Sequence, residues 1–85
     1  MVQINMTTNK TTKYHLYSSE GCHLCEQAIK LCAVVLDVQQ LNIVDIVDDE
    51  SLVEQYGVHI PVLERLSDNT KLYWPFSQQD VEKLV

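Results

Sequence analysis

The sequence predicts an α/β domain with the chain order βαβαββα, a four-stranded mixed sheet flanked by helices. Three observations predict it. A short β-prone run at residues 14–17 is followed by an apolar stripe of helical period and then by a β-branched run at residues 41–47, which together make a βαβ unit. Two further runs, residues 58–66 and 70–74, are separated by the turn-forming Ser67, Asp68 and Asn69 and read as a hairpin. Ser77-Gln78-Gln79-Asp80 then carries the pattern that opens a helix. With 85 residues, 46% of them hydrophobic, the chain can build one core and one domain. That domain is expected over residues 13–85, because residues 1–12 lack apolar periodicity and read as a mobile polar tail.

Each element has a local reason. Tyr14, His15, Leu16 and Tyr17 form the first strand, and Ser18, Ser19, Glu20 and Gly21 a polar turn. A helix is expected from Cys22 onward, since Cys25, Ala28, Ile29, Cys32, Val35 and Leu36 recur at spacings of three, four and seven and face a core. Glu26 and Lys30 stand at i, i+4 on another face as a minor stabilising pair. The second strand, residues 41–47, is reached by a helical crossover, which favours parallel pairing with the first. Asp48 and Asp49 cap a short helix from Glu50 to Tyr56, with Leu52, Val53 and Tyr56 as its apolar side and Gly57 as its stop. Pro61 cannot donate to a ladder and is expected as the first residue of the third strand. In the last helix Phe76 and Val81 are placed to form a hydrophobic staple across the cap.

Composition excludes several functions. A net charge of −6 with six scattered basic residues argues against nucleic-acid binding, which needs clustered lysine and arginine. No run of 18 apolar residues is present for a membrane span, and the polar N-terminus lacks the apolar core of a secretory signal, so a cytoplasmic location is expected. Without such a signal, the glycosylation patterns at Asn5 and Asn9 carry no weight. In a reducing compartment structural disulfides are rare, and three cysteines, two of them spaced Cys-x-x-Cys, point to redox or metal chemistry. A monomer is expected.

Cys22 and Cys25 are the candidate catalytic pair. The unpaired N–H groups and the dipole at a helix N-terminus favour an anion, so Cys22 is the thiol whose pKa falls, from about 8.5 toward roughly 3.5–7.5. Cys25, one turn deeper, is placed to resolve a mixed disulfide formed at Cys22. Other readings stand beside this one. The pair is half of a zinc site if His15, His23, His59 or Cys32 completes it, although closed sites usually present a second Cys or His pair at tight spacing; or both thiols are inert core residues. His23 either supports the thiolate as a neighbouring partial positive charge or is an exposed helix residue. Cys32 shares the buried stripe and reads as a small core residue. His59 flanks a substrate groove or lies on the surface, while Tyr73 and Trp74 read as hairpin packing.

The Cys-x-x-Cys opening a helix after the first strand, the Ile60-Pro61 ahead of the third, and the closing hairpin and helix resemble the thioredoxin superfamily, and most of all its small bacterial glutaredoxin-like proteins. The resemblance covers Lys13 to Val85. It implies a thioredoxin-like fold and thiol–disulfide oxidoreductase activity, and no bound cofactor or metal is expected. The substrate it implies is a disulfide-containing protein or a small thiol. It also implies a cis bond before Pro61, lying against the two thiols, with Ile60 offering backbone hydrogen bonds to an incoming peptide or glutathione. His23, Ile60 and Pro61 are accordingly the expected substrate-binding residues. Departures are equally informative. Glutaredoxins proper carry Cys-Pro-Tyr-Cys, a basic residue three positions ahead and a Gly-Gly after the hairpin; here these places hold His23-Leu24, Ser19 and Trp74-Pro75-Phe76-Ser77. Ser77 and the N–H groups of the last helix are what remains to receive a carboxylate. A thioredoxin-type protein reductant is therefore expected over glutathione. The rival from another class is a binding or metal-handling module on the same fold.

Overall fold

A computed structural model describes residues 12–85, so the expected tail lies outside the described residues apart from Thr12. The elements follow the predicted order: β1 (Tyr14–Ser18), α1 (His23–Val35), β2 (Leu41–Asp45), α2 (Glu50–Tyr56), β3 (Val62–Arg65), β4 (Thr70–Tyr73) and α3 (Gln78–Glu82). The sheet order is β2-β1-β3-β4. As expected of a helical crossover, β1 and β2 are parallel, with Tyr14 opposite Leu41 and Ser18 opposite Asp45. β3 runs antiparallel to both β1 and β4.

Side chains alternate across the strands, so neighbours in sequence enter different cores. Tyr14, Leu16 and Leu63 meet Ala28, Cys32 and Leu36 from the α1 side and Phe76, Val81 and Leu84 from the α3 side. Tyr17 and Val62 face the other way, against Ile46 and Tyr56. The stripe read from α1 is the buried one, with Ile29 and Val35 packed at its margin. At α3 the Ser77 hydroxyl accepts from the Asp80 N–H at 3.1 Å while the Asp80 carboxylate accepts from the Ser77 N–H at 2.9 Å, and Phe76 and Val81 share the core beneath this cap.

Several boundaries differ from the reading of the sequence, each for a local reason. β2 stops at Asp45 rather than Val47, because the Asp45 carboxylate accepts from the Val47 N–H at 2.9 Å and turns the chain. Residues 38–40 form a 3₁₀ turn that the sequence reading lacks, capped by Asp37. The third strand starts at Val62: residues 58–60 instead close α2, with the His59 and Ile60 N–H groups both donating to the Tyr56 carbonyl at 2.7 and 3.0 Å. Pro61 thus precedes β3, although its carbonyl still accepts from the Trp74 N–H at 3.2 Å. On α2 only Tyr56 is buried, and Val53, expected on the apolar side, is 43% exposed. Gly57 ends α2 with right-handed backbone at φ −51°. Space, not handedness, calls for glycine there: a Cβ would lie 2.5 Å from the Val53 carbonyl oxygen. Glu26 and Lys30 form no ion pair; among the described residues the ion pairs are Arg65–Asp68 and Lys71–Glu64.

Glu64 is a buried carboxylate on the α2 side of the sheet. It accepts from the Tyr17 hydroxyl at 2.6 Å and from the Asn69 side-chain amide at 2.9 Å, with the Lys71 ammonium 3.9 Å away. Asn69, in the β3–β4 turn, has left-handed backbone at φ 61°. Burial pushes the Glu64 carboxyl up, but the hydrogen bonds from Tyr17 and Asn69 and the charges of Lys71 and His15 outweigh it, leaving its pKa below the ordinary 4.5. The Tyr17 hydroxyl is held well above its usual range, by burial first and then by Glu64. A depressed carboxylate pKa stabilises the fold fully above the unfolded value and ceases to do so as pH falls through the folded value. Urea unfolding of the native chain should therefore lose stability as pH falls below the ordinary value of 4.5, and Glu64→Gln should show a shallower loss there, having no charge to titrate. Equal slopes would assign the acid sensitivity to other carboxylates.

Candidate functional site

The end of β1 delivers the chain into a four-residue turn closed by the Cys22 N–H on the Ser19 carbonyl at 3.3 Å. Its third residue, Gly21, has φ +81°, the left-handed region that this turn requires and that glycine adopts without steric cost. Cys22 follows as the N-cap of α1, so the helix starts one residue later than the sequence reading placed it. Its sulfur occupies the position usually held by a serine or aspartate oxygen and accepts from the Cys25 N–H at 3.2 Å. Cys22 and Cys25 are joined in a disulfide with Cα atoms 5.2 Å apart. The two sulfurs are not equivalent: Cys22 is half-buried, whereas Cys25 is only 2% exposed. An attacking group reaches Cys22 first.

Across the sheet end from this pair lies residue 61. Tyr17 pairs with Val62, so the register brings Pro61 level with Ser18, where β1 turns toward Cys22. The Ile60-Pro61 bond is cis, as is Trp74-Pro75. The family model described as glutaredoxin-like domain (DUF836) matches residues 13–85. The chain belongs to this family. Among solved structures, protein XcR50 from X. campestris is similar in its X-ray structure at 32% identity, over 82% of this chain and 91% of that one, with a TM-score of 0.73. Its solution structure gives 31% identity over 85% and 90%, with a TM-score of 0.70. Protein Ne2328 from Nitrosomonas europaea is 26% identical over 86% and 89%, with a TM-score of 0.69. None of the curated proteins matches the chain. The fold is thioredoxin-like, and a glutaredoxin-like domain with a disulfide-forming Cys-x-x-Cys at a helix N-terminus fits a redox role.

Within this glutaredoxin-like frame the remaining expected residues are distributed unevenly. His23 is the first residue of α1 and is exposed beside Cys22. Pro61 is fully buried, and the Ile60 N–H is engaged with Tyr56, so the backbone group that Ile60 can offer a ligand is its carbonyl. His59 is exposed and meets the Tyr73 ring edge-on at 5.4 Å, while Trp74 packs on Phe76 at 5.1 Å. The sequence reading gave Tyr56 only a place on the apolar side of α2. Here it stacks on Tyr17 at 4.2 Å and its carbonyl anchors both His59 and Ile60, a role signalled in sequence only by its position four residues ahead of Ile60. At α3, Asp80 already occupies the Ser77 N–H and hydroxyl that the sequence left open for an external carboxylate. Among the described residues no three His, Cys, Asp or Glu side chains converge as a metal site, and no helix is long and apolar enough to cross a membrane.

Cys32 is fully buried in the α1–α3 core, and burial pushes its thiol pKa up to about 11. Thiolate is the reactive form, so burial suppresses the reactive state of Cys32 as well as shielding it from reagents. In the oxidised native protein iodoacetamide at pH 8 should therefore label no cysteine, and unfolding in urea should reveal one reactive thiol. Prompt labelling of the folded protein would contradict the core placement.

Proposed function

We propose that this chain is a dithiol–disulfide oxidoreductase in which Cys22 is the nucleophile and Cys25 the resolving thiol. The observation that carries the reading is the asymmetry of the pair: one accessible sulfur at a helix N-cap, aligned with the Cys25 N–H, and one buried sulfur a turn below it. In the reduced protein the hydrogen bond to Cys22 becomes charge-assisted, and with the helix dipole it favours the thiolate. That thiolate attacks one sulfur of a substrate disulfide. The substrate S–S bond breaks, its second sulfur leaves as a thiolate that takes a proton, and a mixed disulfide with Cys22 remains. Cys25 gives up its proton and attacks the Cys22 sulfur, expelling the substrate's other thiolate and closing the Cys22–Cys25 disulfide. Two electrons have passed to the substrate. The Ile60 carbonyl and exposed His23 are the groups assigned to hold an extended disulfide-bearing chain beside Cys22, with Pro61 fixing the direction of Ile60. A reducing compartment such as the cytosol suits this direction of transfer.

Cys22→Ser should abolish reduction of a protein disulfide such as insulin's, whereas Cys25→Ser should accumulate a mixed disulfide detectable by mass spectrometry. Most of the activity surviving in Cys22→Ser would overturn the assignment of roles.

The reductant assigned to the pair is a thioredoxin-type protein rather than glutathione. Tight recognition of glutathione's two carboxylates needs charge-assisted donors. At the positions where glutaredoxins proper supply them, this chain offers Ser19 and a helix end already capped by its own Asp80 carboxylate. When the oxidised protein is mixed with equal thiol equivalents of each donor, the protein reductant should reopen the disulfide faster, with glutathione showing no saturation at low millimolar concentration. Fast, saturable reduction by glutathione would reverse this ranking.

A further inference from the structure

We infer that the groove between the end of β2 and α2 is a docking surface for a partner polypeptide presenting an apolar side chain flanked by lysine or arginine. The groove has a volume of about 360 Å³ and is lined by Val47, Glu50, Val53 and Glu54. Its apolar part is open to solvent: Val47 is 61% exposed and Val53 43%. Both result from chain geometry described above. The Asp45 turn ends β2 before Val47 can join the sheet, and α2 buries Tyr56 while leaving Val53 at the exposed margin of that face.

The position ties this groove to the disulfide. Ser18 and Asp45 are the last pair of the parallel strands, and the Ile46 N–H donates to the Ser18 carbonyl at 3.0 Å. Both strands therefore leave the sheet at one end, β1 toward Cys22 and β2 toward Val47. The groove thus opens at the same end of the sheet as Cys22, on the side covered by α2.

Charge decides the occupant. Glu50 and Glu54 rim the valines, and among the described residues neither is in an ion pair. No lysine or arginine occurs between Lys30 and Arg65, so β2, α2 and their connections contain no cation to balance them. A second copy of this chain, at net charge −6, is repelled, and so is nucleic acid. The valines gain from covering by an apolar side chain, and its basic neighbours meet the two carboxylates. This deepens the oxidoreductase reading, since it names the class of protein substrate or reductant, and in that respect rests on it.

The test separates docking from turnover. Two short peptides, identical except for lysine or glutamate on either side of one leucine and free of cysteine, are titrated into ¹⁵N-labelled protein carrying Cys22→Ser. The lysine peptide should move the amides of Val47, Val53 and Glu54 and the glutamate peptide should not. Glu54→Lys should weaken binding about fivefold, the upper range for one exposed charge pair. Val53→Ser, which preserves charge, should weaken it about threefold through lost apolar cover. Glu82→Lys makes the same change in net charge on α3, against the other face of the sheet, and should leave affinity within about twofold, because surface charges more than a Debye length apart are largely screened. No amide shifts at the groove, or equal weakening by Glu82→Lys and Glu54→Lys, would overturn the inference. Disulfide-bearing versions of both peptides are then given to the reduced native protein. The lysine form should be preferred, and Glu54→Lys should raise its KM without changing kcat. Binding without turnover would refute the oxidoreductase reading and leave docking intact; turnover indifferent to peptide charge, with no groove shifts, would refute docking and leave the chemistry.

Discussion

Strand β1 has no free face, and the rest of the structure depends on that constraint. Leu16 is sealed beneath α1 and α3 while Tyr17, its neighbour, is sealed beneath α2. A slip of one residue would exchange the two cores. The register is therefore fixed against both β2 and β3, which fixes where β1 ends, and the glycine turn then places Cys22 at the mouth of α1. The place of the site thus follows from the core, through the burial of Leu16 and Tyr17 on opposite faces.

Three cysteines on one helix illustrate how position sets chemistry. Cys22, Cys25 and Cys32 share α1 or its cap, yet one faces solvent at a positive helix end, one is covered a turn below, and one lies in an apolar core that suppresses ionisation. Exposure falls along the helix axis from its N-terminus inward, and at Cys32 desolvation alone accounts for the raised thiol pKa.

The fold was legible because its signals were periodic. The α1 stripe, the β-branched β2 run and the Ser77/Asp80 capping box each rest on residue types that do the same physical work in isolation as in the folded chain. The Cys22/Cys25 pair was legible by spacing. What escaped the sequence was set by partners distant along it. Val58 reads as the start of a strand but is 92% exposed, since Tyr56 captures the next two N–H groups for the helix end. Val53 reads as core but is 43% exposed, at the margin of the face that buries Tyr56. Glu64, in a strand of otherwise ordinary pattern, is buried because Tyr17, 47 positions earlier, reaches it with a hydroxyl, and nothing local announces that meeting.

Asn69 joins two requirements that are usually separate. Its backbone is left-handed, and its side chain is one of two hydrogen-bond donors to the buried Glu64 carboxylate. Glycine would satisfy the first and abandon the second; aspartate would tolerate the first and set a second carboxylate against Glu64. Asparagine meets both conditions. The usual engineering remedy for a left-handed residue, replacement by glycine, would here relax the turn but strip the buried Glu64 carboxylate of one donor, so this surface position is constrained by its side chain as well as by its backbone.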